Sequence, residues 1–168
     1  FYIARWNDLL RELGIDGSLV NPYWNKTKGE MAAGCADQAL LDSLAPSSLS
    51  CSSPAKARWL GLPQGHCGHC LPCLIRRASL LGRDTTPYII GDLAAYKLDT
   101  GKAEGVQVRA FQLAIERLRR DPGLSTSLVH KPGSLADVPH QMSDLAEVYR
   151  RGLGEVGRLL KGVRAGPA

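Results

Sequence analysis

Four of the five cysteines in this chain are close enough in sequence to bind a single metal ion. Cys67, Cys70 and Cys73 form an uninterrupted C-x2-C-x2-C pattern, and Cys51 precedes Cys67 by sixteen residues. Structural zinc sites commonly use four thiolates, which surround the ion as a tetrahedron. The spacing therefore predicts one structural zinc ion that holds together a segment of roughly residues 50–80.

The segment 67–70 has the form of a zinc knuckle, in which two thiolates flank a tight turn. Gly68 can take the left-handed backbone conformation that such a turn needs, and the turn amides then point at the sulfurs. Cys70 and Cys73 are spaced to share one face at the start of a helix, whose N-terminus favours thiolate charge. Cys51 would complete the set of ligands from a serine-rich loop.

Other ligand sets stay open at this point. An iron–sulfur cluster is one alternative, because the bacterial ferredoxin run also begins with C-x2-C-x2-C. That run continues with a fourth cysteine before a proline, whereas Leu74 and Ile75 come next here. His66 and His69 could each replace a cysteine, although we expect them beside the site or facing solvent. Cys35 is left over; we expect a small buried apolar residue, with substrate contact as the alternative.

The composition is that of a folded protein rather than a disordered or membrane-spanning one. The chain has 168 residues, of which 44% are hydrophobic, so it can bury a core. It contains no run of eighteen apolar residues, and because its first residues lack the basic-apolar-small pattern of a leader we do not expect secretion. Because cysteines without an export signal are expected to stay reduced, we expect a cytoplasmic location and no membrane partner.

Positive charge is concentrated around the cysteines. The net charge is +5, and no acidic residue occurs between Asp42 and Asp84. Cations in this stretch either neutralise the negative charge of a tetrathiolate or attract a phosphate or carboxylate ligand, and the sequence leaves both open. They are Lys56, Arg58, Arg76, Arg77 and Arg83.

Apolar residues at helical spacing predict a predominantly α chain with short extended segments, an α+β class. The predicted helices cover about residues 3–13, 28–33, 36–45, 71–81, 102–120 and 143–163, and residues 18–24 are expected to be an extended segment or at best an edge strand. Proline, glycine and serine enrich residues 122–141, which predicts a loop or a segment ordered by a partner. Because the first helix has no capping turn before it, we expect the chain to be the C-terminal portion of a longer protein.

A capping box marks the start of the second helix. Thr27 and Glu30 have the spacing at which each side chain accepts a hydrogen bond from the other residue's backbone amide. Lys28, between them, is either an exposed lysine or a contact for a carboxylate or phosphate. Tyr23 and Trp24 are expected in the core, with stacking on a purine as the alternative.

The last predicted helix carries an apolar seam that needs a surface to pack against. Its glycines weaken it in isolation, each by up to about 1 kcal/mol relative to alanine. We expect it to pack on its own domain, with docking of a partner subunit as the alternative. The seam comprises Met142, Leu145, Tyr149, Leu153, Val156, Leu160 and Val163.

Several motifs in order resemble one known family. They are Asn21-Pro22-Tyr23-Trp24, Lys26-Thr27-Lys28-Gly29-Glu30-Met31, Ser50-Cys51, and Cys67-Gly68-His69-Cys70-Leu71-Pro72-Cys73-Leu74-Ile75-Arg76-Arg77. In this order they resemble the second half of the 7-cyano-7-deazaguanine synthase (QueC) family, in particular the QueC-like proteins of the Qat antiphage defence system. The resemblance covers residues 1–93, and residues 94–168 would be a helical C-terminal extension beyond the parent family's end.

The resemblance implies a fold and a chemistry for the complete protein. The fold would be that of the α/β adenine-nucleotide alpha-hydrolases, a Rossmann-like parallel sheet with a phosphate-binding PP-loop. The enzyme would use ATP and magnesium to activate a carboxylate, that of a 7-deazaguanine, and a nitrogen nucleophile would displace AMP to give an amide- or nitrile-type product.

Residues carry over only where the motif matches. Cys51, Cys67, Cys70 and Cys73 would be the ligands of a structural zinc ion beside the substrate pocket. Lys28 and Arg77 would be cofactor-binding residues, and no catalytic residue is assigned.

The family's phosphate-binding loop, S-G-G-x-D-S, does not occur in this chain. That loop wraps ATP phosphates in backbone amides, so the chain alone is expected to be inactive. Its partner would be its own N-terminal half or a subunit of a defence complex. The competing hypothesis is a zinc module without catalysis that binds nucleic acid or a protein; a low aromatic content of 6% argues against nucleic acid.

Overall fold

A computed structural model describes residues 2–62, 65–131, 135 and 139–168. Over these residues the chain is mostly helical with one small sheet, so the prediction of a predominantly α chain with short extended segments is confirmed. The elements are α1 (Tyr2–Glu12), α2 (Lys28–Ala33), α3 (Gln38–Leu44), α4 (Lys56–Trp59), α5 (Leu71–Ser79), β1 (Leu98–Asp99), α6 (Ala103–Arg120), α7 (Leu124–Val129), α8 (Met142–Leu159) and β2 (Ala165–Gly166). Short 3₁₀ turns lie at Ala45–Ser47 and Pro139–Gln141.

Local sequence signals place the helix starts. Thr27 caps α2 through a capping box, as predicted: its side chain accepts from the Glu30 amide at 3.0 Å, and Glu30 accepts from the Thr27 amide at 2.9 Å. Asp37 caps α3 by accepting from the Leu40 amide at 2.8 Å. In α5 a proline lies in the first turn, where its missing amide donor costs nothing.

The two strands pair in parallel and bring the last residues of the chain to the start of α6. Leu98 lies opposite Ala165, and Asp99 lies opposite Gly166. Leu98 is fully buried. Neither strand was predicted, because each has two residues and exists only through this long-range pairing.

The main core is shared between the cysteine-rich segment and the C-terminal part of the chain. Helix α8 packs against α5, α6 and α7. The buried side chains come from both sides of residue 93, so the two predicted parts pack around one core. They are Leu74, Ala78, Leu93, Leu98, Val108, Val156, Leu160 and Val163.

The seam of α8 faces this core rather than solvent. Leu153, Val156 and Leu160 are buried. The structure therefore shows the last helix packed on its own chain, which was the expected arrangement, with docking of a partner subunit as the alternative. The helix ends at Leu159, a few residues before the predicted end.

The structure differs from the sequence-based prediction in two segments. Residues 122–141 contain α7, whose Ser125 is buried, where a loop was expected. Packing against α8 gives this short helix a stability that its local composition does not. Residues 132–134 and 136–138 of the same segment lie outside the described residues. Residues 18–24 contain a turn and no strand.

Helix α1 exposes its apolar side chains. It has no buried residue, and Ile3, Trp6 and Leu9 are each about 40% exposed. Its link to the segment that precedes α2 is polar: the Asn7 amide group donates to the Leu19 carbonyl at 3.0 Å and accepts from the Leu19 amide at 2.7 Å. Among the described residues, α1 therefore contributes little to the core.

Gly105→Ala is expected to destabilise the chain by roughly 1–3 kcal/mol, because Gly105 is in the first turn of α6 and this turn lies directly on β1. An added Cβ would overlap the Asp99 carbonyl oxygen, which is backbone and cannot move aside cheaply. Urea unfolding measures the effect. Gly154→Ala on α8 is the control: no atom of the described residues lies within 4 Å of its added Cβ, so it should be neutral or stabilising. Equal midpoints for the two variants would contradict the contact.

Candidate metal centre

The four predicted cysteine ligands lie together. The sulfurs of Cys51, Cys67, Cys70 and Cys73 are all within 4.8 Å of one another. The Cys51 and Cys70 sulfurs are 3.9 Å apart, and those of Cys67 and Cys73 are 4.0 Å apart. In a tetrahedral zinc site with bonds of about 2.3 Å, the sulfurs are about 3.8 Å from each other. The cluster therefore has the size and the chemistry to hold a metal ion.

Three elements position these sulfurs. Cys70 is the N-cap of α5 and Cys73 lies in its first turn, so the helix start carries two of the four. Cys67 begins the knuckle and is buried, as are Cys70 and Cys73. Cys51 comes from the loop before α4 and is half-buried.

Backbone amides point at the sulfurs. The Cys51 sulfur accepts from the amides of Ser53 at 3.4 Å and Cys67 at 3.5 Å. The Cys67 sulfur accepts from the Cys70 amide at 3.4 Å. Amide donors stabilise thiolate charge, so the loop is organised to carry deprotonated cysteines.

Gly68 is essential to the knuckle. Its φ is +88°, in the left-handed region, and a Cβ at this position would lie 2.6 Å from the Ile90 carbonyl oxygen. Ile90 is this close because the segment after α5 runs alongside the knuckle. The Ile90 amide donates to the Cys67 carbonyl at 3.2 Å, and the Ile89 amide donates to the His66 carbonyl at 2.9 Å. Both the backbone angle and the lack of space therefore require glycine.

Arg77 fastens the knuckle to that segment. Its guanidinium donates to the carbonyls of Gly68 at 3.2 Å, Ile90 at 2.9 Å and Gly91, and it lies 4.5 Å from the centre of the Tyr88 ring. The sequence predicted a cofactor contact here. The structure gives these donors backbone partners, and the predicted contact with a ligand stays a prediction.

Arg76 supports the other side of the loop. It donates to the Ala45 carbonyl, to the Ser48 hydroxyl at 2.7 Å and to the Thr86 hydroxyl at 3.0 Å. Sequence reasoning counted Arg76 only as one cation among five. The two consecutive arginines that come after Cys73 thus hold both flanks of the cysteine cluster.

Both histidines of the segment are buried next to the cluster. The His66 ring donates from Nε2 to the Ser48 carbonyl at 2.9 Å, and its Nδ1 lies 3.7 Å from the Cys73 sulfur. His69 is 7% exposed, and its Nδ1 has no hydrogen-bond partner among the described residues. The expectation of a solvent-facing ring is therefore wrong for both, whereas a place beside the cysteines fits.

The thiols do not titrate independently. The hydrogen bond between the Cys67 and Cys73 sulfurs lowers the pKa of Cys67 and raises the pKa of Cys73, and burial adds to the rise at Cys73. Burial also raises the pKa of the Cys51 thiol. In the absence of metal these sulfurs share protons, so metal binding must release protons from the site.

A cavity of about 520 Å³ opens beside the cysteine loop, between α2, α3 and α5. Its walls are mainly apolar, and Ser50 and Pro72 on its border are neighbours of cysteines in the cluster. Lys28 and Cys35 also line it. The structure thus places Lys28 beside the cysteine loop, and it places Cys35 at a cavity wall rather than in the core.

A second cavity of about 390 Å³ is also lined by Lys28. It shares Lys28, Leu71 and Ile75 with the first, and α6 and α8 supply most of its remaining walls. Its lining includes Glu155, a carboxylate that is only 8% exposed. Sequence reasoning missed Glu155; the only signal was an acid adjoining the apolar seam of α8.

Comparisons with known proteins add no relative: no family model, no curated protein and no solved structure matches the chain. Within the described part of the chain, no helix has the length and apolar character needed to cross a membrane.

Proposed function

We propose that this chain is the zinc-binding C-terminal portion of a QueC-like, ATP-dependent enzyme. In this proposal the complete protein activates the carboxylate of a 7-deazaguanine with ATP, and a nitrogen nucleophile then displaces AMP. ATP and magnesium bind in an N-terminal half with an α/β PP-loop fold, and the protein acts in the cytoplasm in antiphage defence. The observation that carries the proposal is the sulfur cluster of Cys51, Cys67, Cys70 and Cys73.

The cluster supports one structural zinc ion. Four thiolates leave no open coordination position, which is typical of structural rather than catalytic zinc. Sulfur separations of 3.9 and 4.0 Å suit four ligands of one ion. In an iron–sulfur cluster of the four-iron type each cysteine binds its own iron, so the ligand sulfurs stand further apart.

The position of the first cavity supports a ligand site beside the metal. Its volume of about 520 Å³ lies in the range typical of small-molecule sites, and its apolar walls suit a planar heterocycle. Lys28 at its border would meet the carboxylate or a phosphate. Arg77 is the weaker candidate, because its donors already bind backbone carbonyls.

Pyrophosphate exchange tests the enzyme proposal. The complete protein, with its N-terminal half and one equivalent of zinc, should exchange labelled pyrophosphate into ATP only when a 7-deazaguanine carboxylic acid is present. Lys28→Ala should reduce the exchange, and this chain alone should give none. No exchange by intact, zinc-loaded protein would contradict the proposal.

A zinc module without catalysis is the second candidate. The apolar side chains that α1 exposes, among them Trp6, favour a protein partner over nucleic acid. A nucleic-acid ligand should instead bind with an affinity that falls steeply as salt rises. Binding to single-stranded DNA or RNA with such a dependence would favour the nucleic-acid form of this candidate.

A further inference from the structure

Glu155 connects the C-terminal extension to the turn that carries Lys28. Its carboxylate accepts hydrogen bonds from the Thr27 hydroxyl and from the Gly29 amide, the latter at 3.2 Å. Thr27 is 4% exposed and Glu155 is 8% exposed, so the contact is buried. The two residues that flank Lys28 in sequence are therefore both held by one side chain of α8.

A second residue of α8, one helical turn earlier, holds the same turn. Arg151 donates to the Glu30 carboxylate, with the shortest distance 2.6 Å, and to the Asn25 carbonyl at 2.8 Å. The Arg151 contact lowers the pKa of Glu30, as does the Thr27 amide. The Thr27–Glu30 capping box is thus bound from outside by α8 at both of its ends.

The space around Gly29 shows how closely the carboxylate fits. A Cβ at position 29 would lie 2.5 Å from the Glu155 Oε1 atom. The backbone of Gly29 is helical and its φ is not positive, and the three heavy atoms nearest to such a Cβ all belong to the Glu155 carboxylate. Glycine at this position leaves the room that Glu155 occupies.

We propose that Glu155 is a positioning residue for Lys28. By fixing the backbone on both sides of Lys28, which lines both cavities, it keeps this lysine where its ammonium group can meet an anionic group of a ligand. This inference rests on the proposed role of Lys28 as a ligand contact. It makes the C-terminal extension a part of the ligand site rather than an appendage.

Cys35 supplies a probe of this arrangement, because it lines the same cavity as Lys28. In zinc-loaded protein the four clustered thiols are bound, so Cys35 is the thiol left to react. Its rate is measured with dianionic 5,5′-dithiobis(2-nitrobenzoate) and with uncharged 2,2′-dithiodipyridine. The rate with the dianionic reagent divided by the rate with the uncharged reagent, called the ratio below, rises with positive charge near the thiol. Loosening of the structure raises both rates together and leaves the ratio unchanged.

In the parent protein Lys28 should raise the ratio by about two- to fourfold at low ionic strength, and added salt should remove the effect. Lys28→Ala should abolish it. Glu155→Gln should lower the ratio to nearly the Lys28→Ala value. The direction of this change is decisive. If Glu155→Gln removed the carboxylate without moving Lys28, the cavity would become more positive and the ratio would rise.

Gly29→Ala provides a second variant without a change in charge. Its added methyl group must displace the Glu155 carboxylate, and the ratio should fall as it does for Glu155→Gln. Gly154→Ala, the neighbouring position on α8 with open space around it, should leave the ratio unchanged.

Three results would overturn the proposal. The first is a ratio that is unchanged or raised in both Glu155→Gln and Gly29→Ala. The second is a ratio that falls further when Glu155→Gln is added to Lys28→Ala, and the third is a ratio that Lys28→Ala does not alter. Failure of the zinc proposal gives a separate signal, since five thiols would then react instead of one.

Discussion

Cys73→Ser is expected to abolish stable folding. Cys73 is fully buried in the first turn of α5, and the next residue, Leu74, belongs to the main core. Structural zinc contributes on the order of 10–16 kcal/mol of apparent binding free energy, whereas a domain is stable by only about 5–15 kcal/mol. Loss of one thiolate ligand should therefore cost most of the stability, seen as lost near-ultraviolet circular dichroism at 25 °C or a greatly lowered melting temperature.

The fifth thiol is the matched control. Cys35→Ser makes the same atomic change at a half-buried position outside the cluster. It should change the free energy of unfolding by less than about 1 kcal/mol and leave metal content unaltered. A Cys73→Ser protein that melts within two or three degrees of the parent and keeps its metal would contradict the proposed role.

Gly68→Ala is expected to have the second largest effect. The backbone angle of +88° costs an alanine about 1–2 kcal/mol, and the added Cβ would also press on the Ile90 carbonyl oxygen from 2.6 Å. To relieve that contact the knuckle must move from the segment to which Arg77 fastens it. We expect zinc affinity to fall by about 10- to 100-fold, as for losses of supporting contacts at other metal sites.

Gly82→Ala separates the two causes. Gly82 has a φ of +86°, nearly the same as that of Gly68, but in the part of the chain that the structure describes no atom lies within 4 Å of its added Cβ. It should show the cost of the backbone angle alone and keep full zinc affinity. Competition with a chromogenic chelator measures both variants. Equal zinc affinities for Gly68→Ala and Gly82→Ala would show that the contact with Ile90 does not matter.

Sequence predicted best those features that depend on neighbours along the chain. The capping box at Thr27 and Glu30 predicted the start of α2, because both partners lie within one turn. The spacing of the cysteines likewise predicted a cluster, because ligands of one ion must converge. The seam of α8 predicted its buried face, since helical periodicity determines which residues share a side.

Sequence failed where tertiary contacts decide. Helix α7 forms against α8 in a stretch whose composition is typical of a loop. The hydrogen bonds from Arg77 to backbone carbonyls were not predicted either, because only the folded chain brings Gly68 and Ile90 next to its guanidinium. Glu155 meets Thr27 across 128 positions of sequence, a pairing that no local pattern encodes.

Metal analysis of the purified protein tests the central claim most directly. Inductively coupled plasma mass spectrometry of protein prepared without added metal should find one zinc per chain. Serine at any one of Cys51, Cys67, Cys70 or Cys73 should lower that content, and serine at Cys35 should not. Absence of stoichiometric zinc, or iron with the visible absorption of an iron–sulfur cluster, would contradict the account.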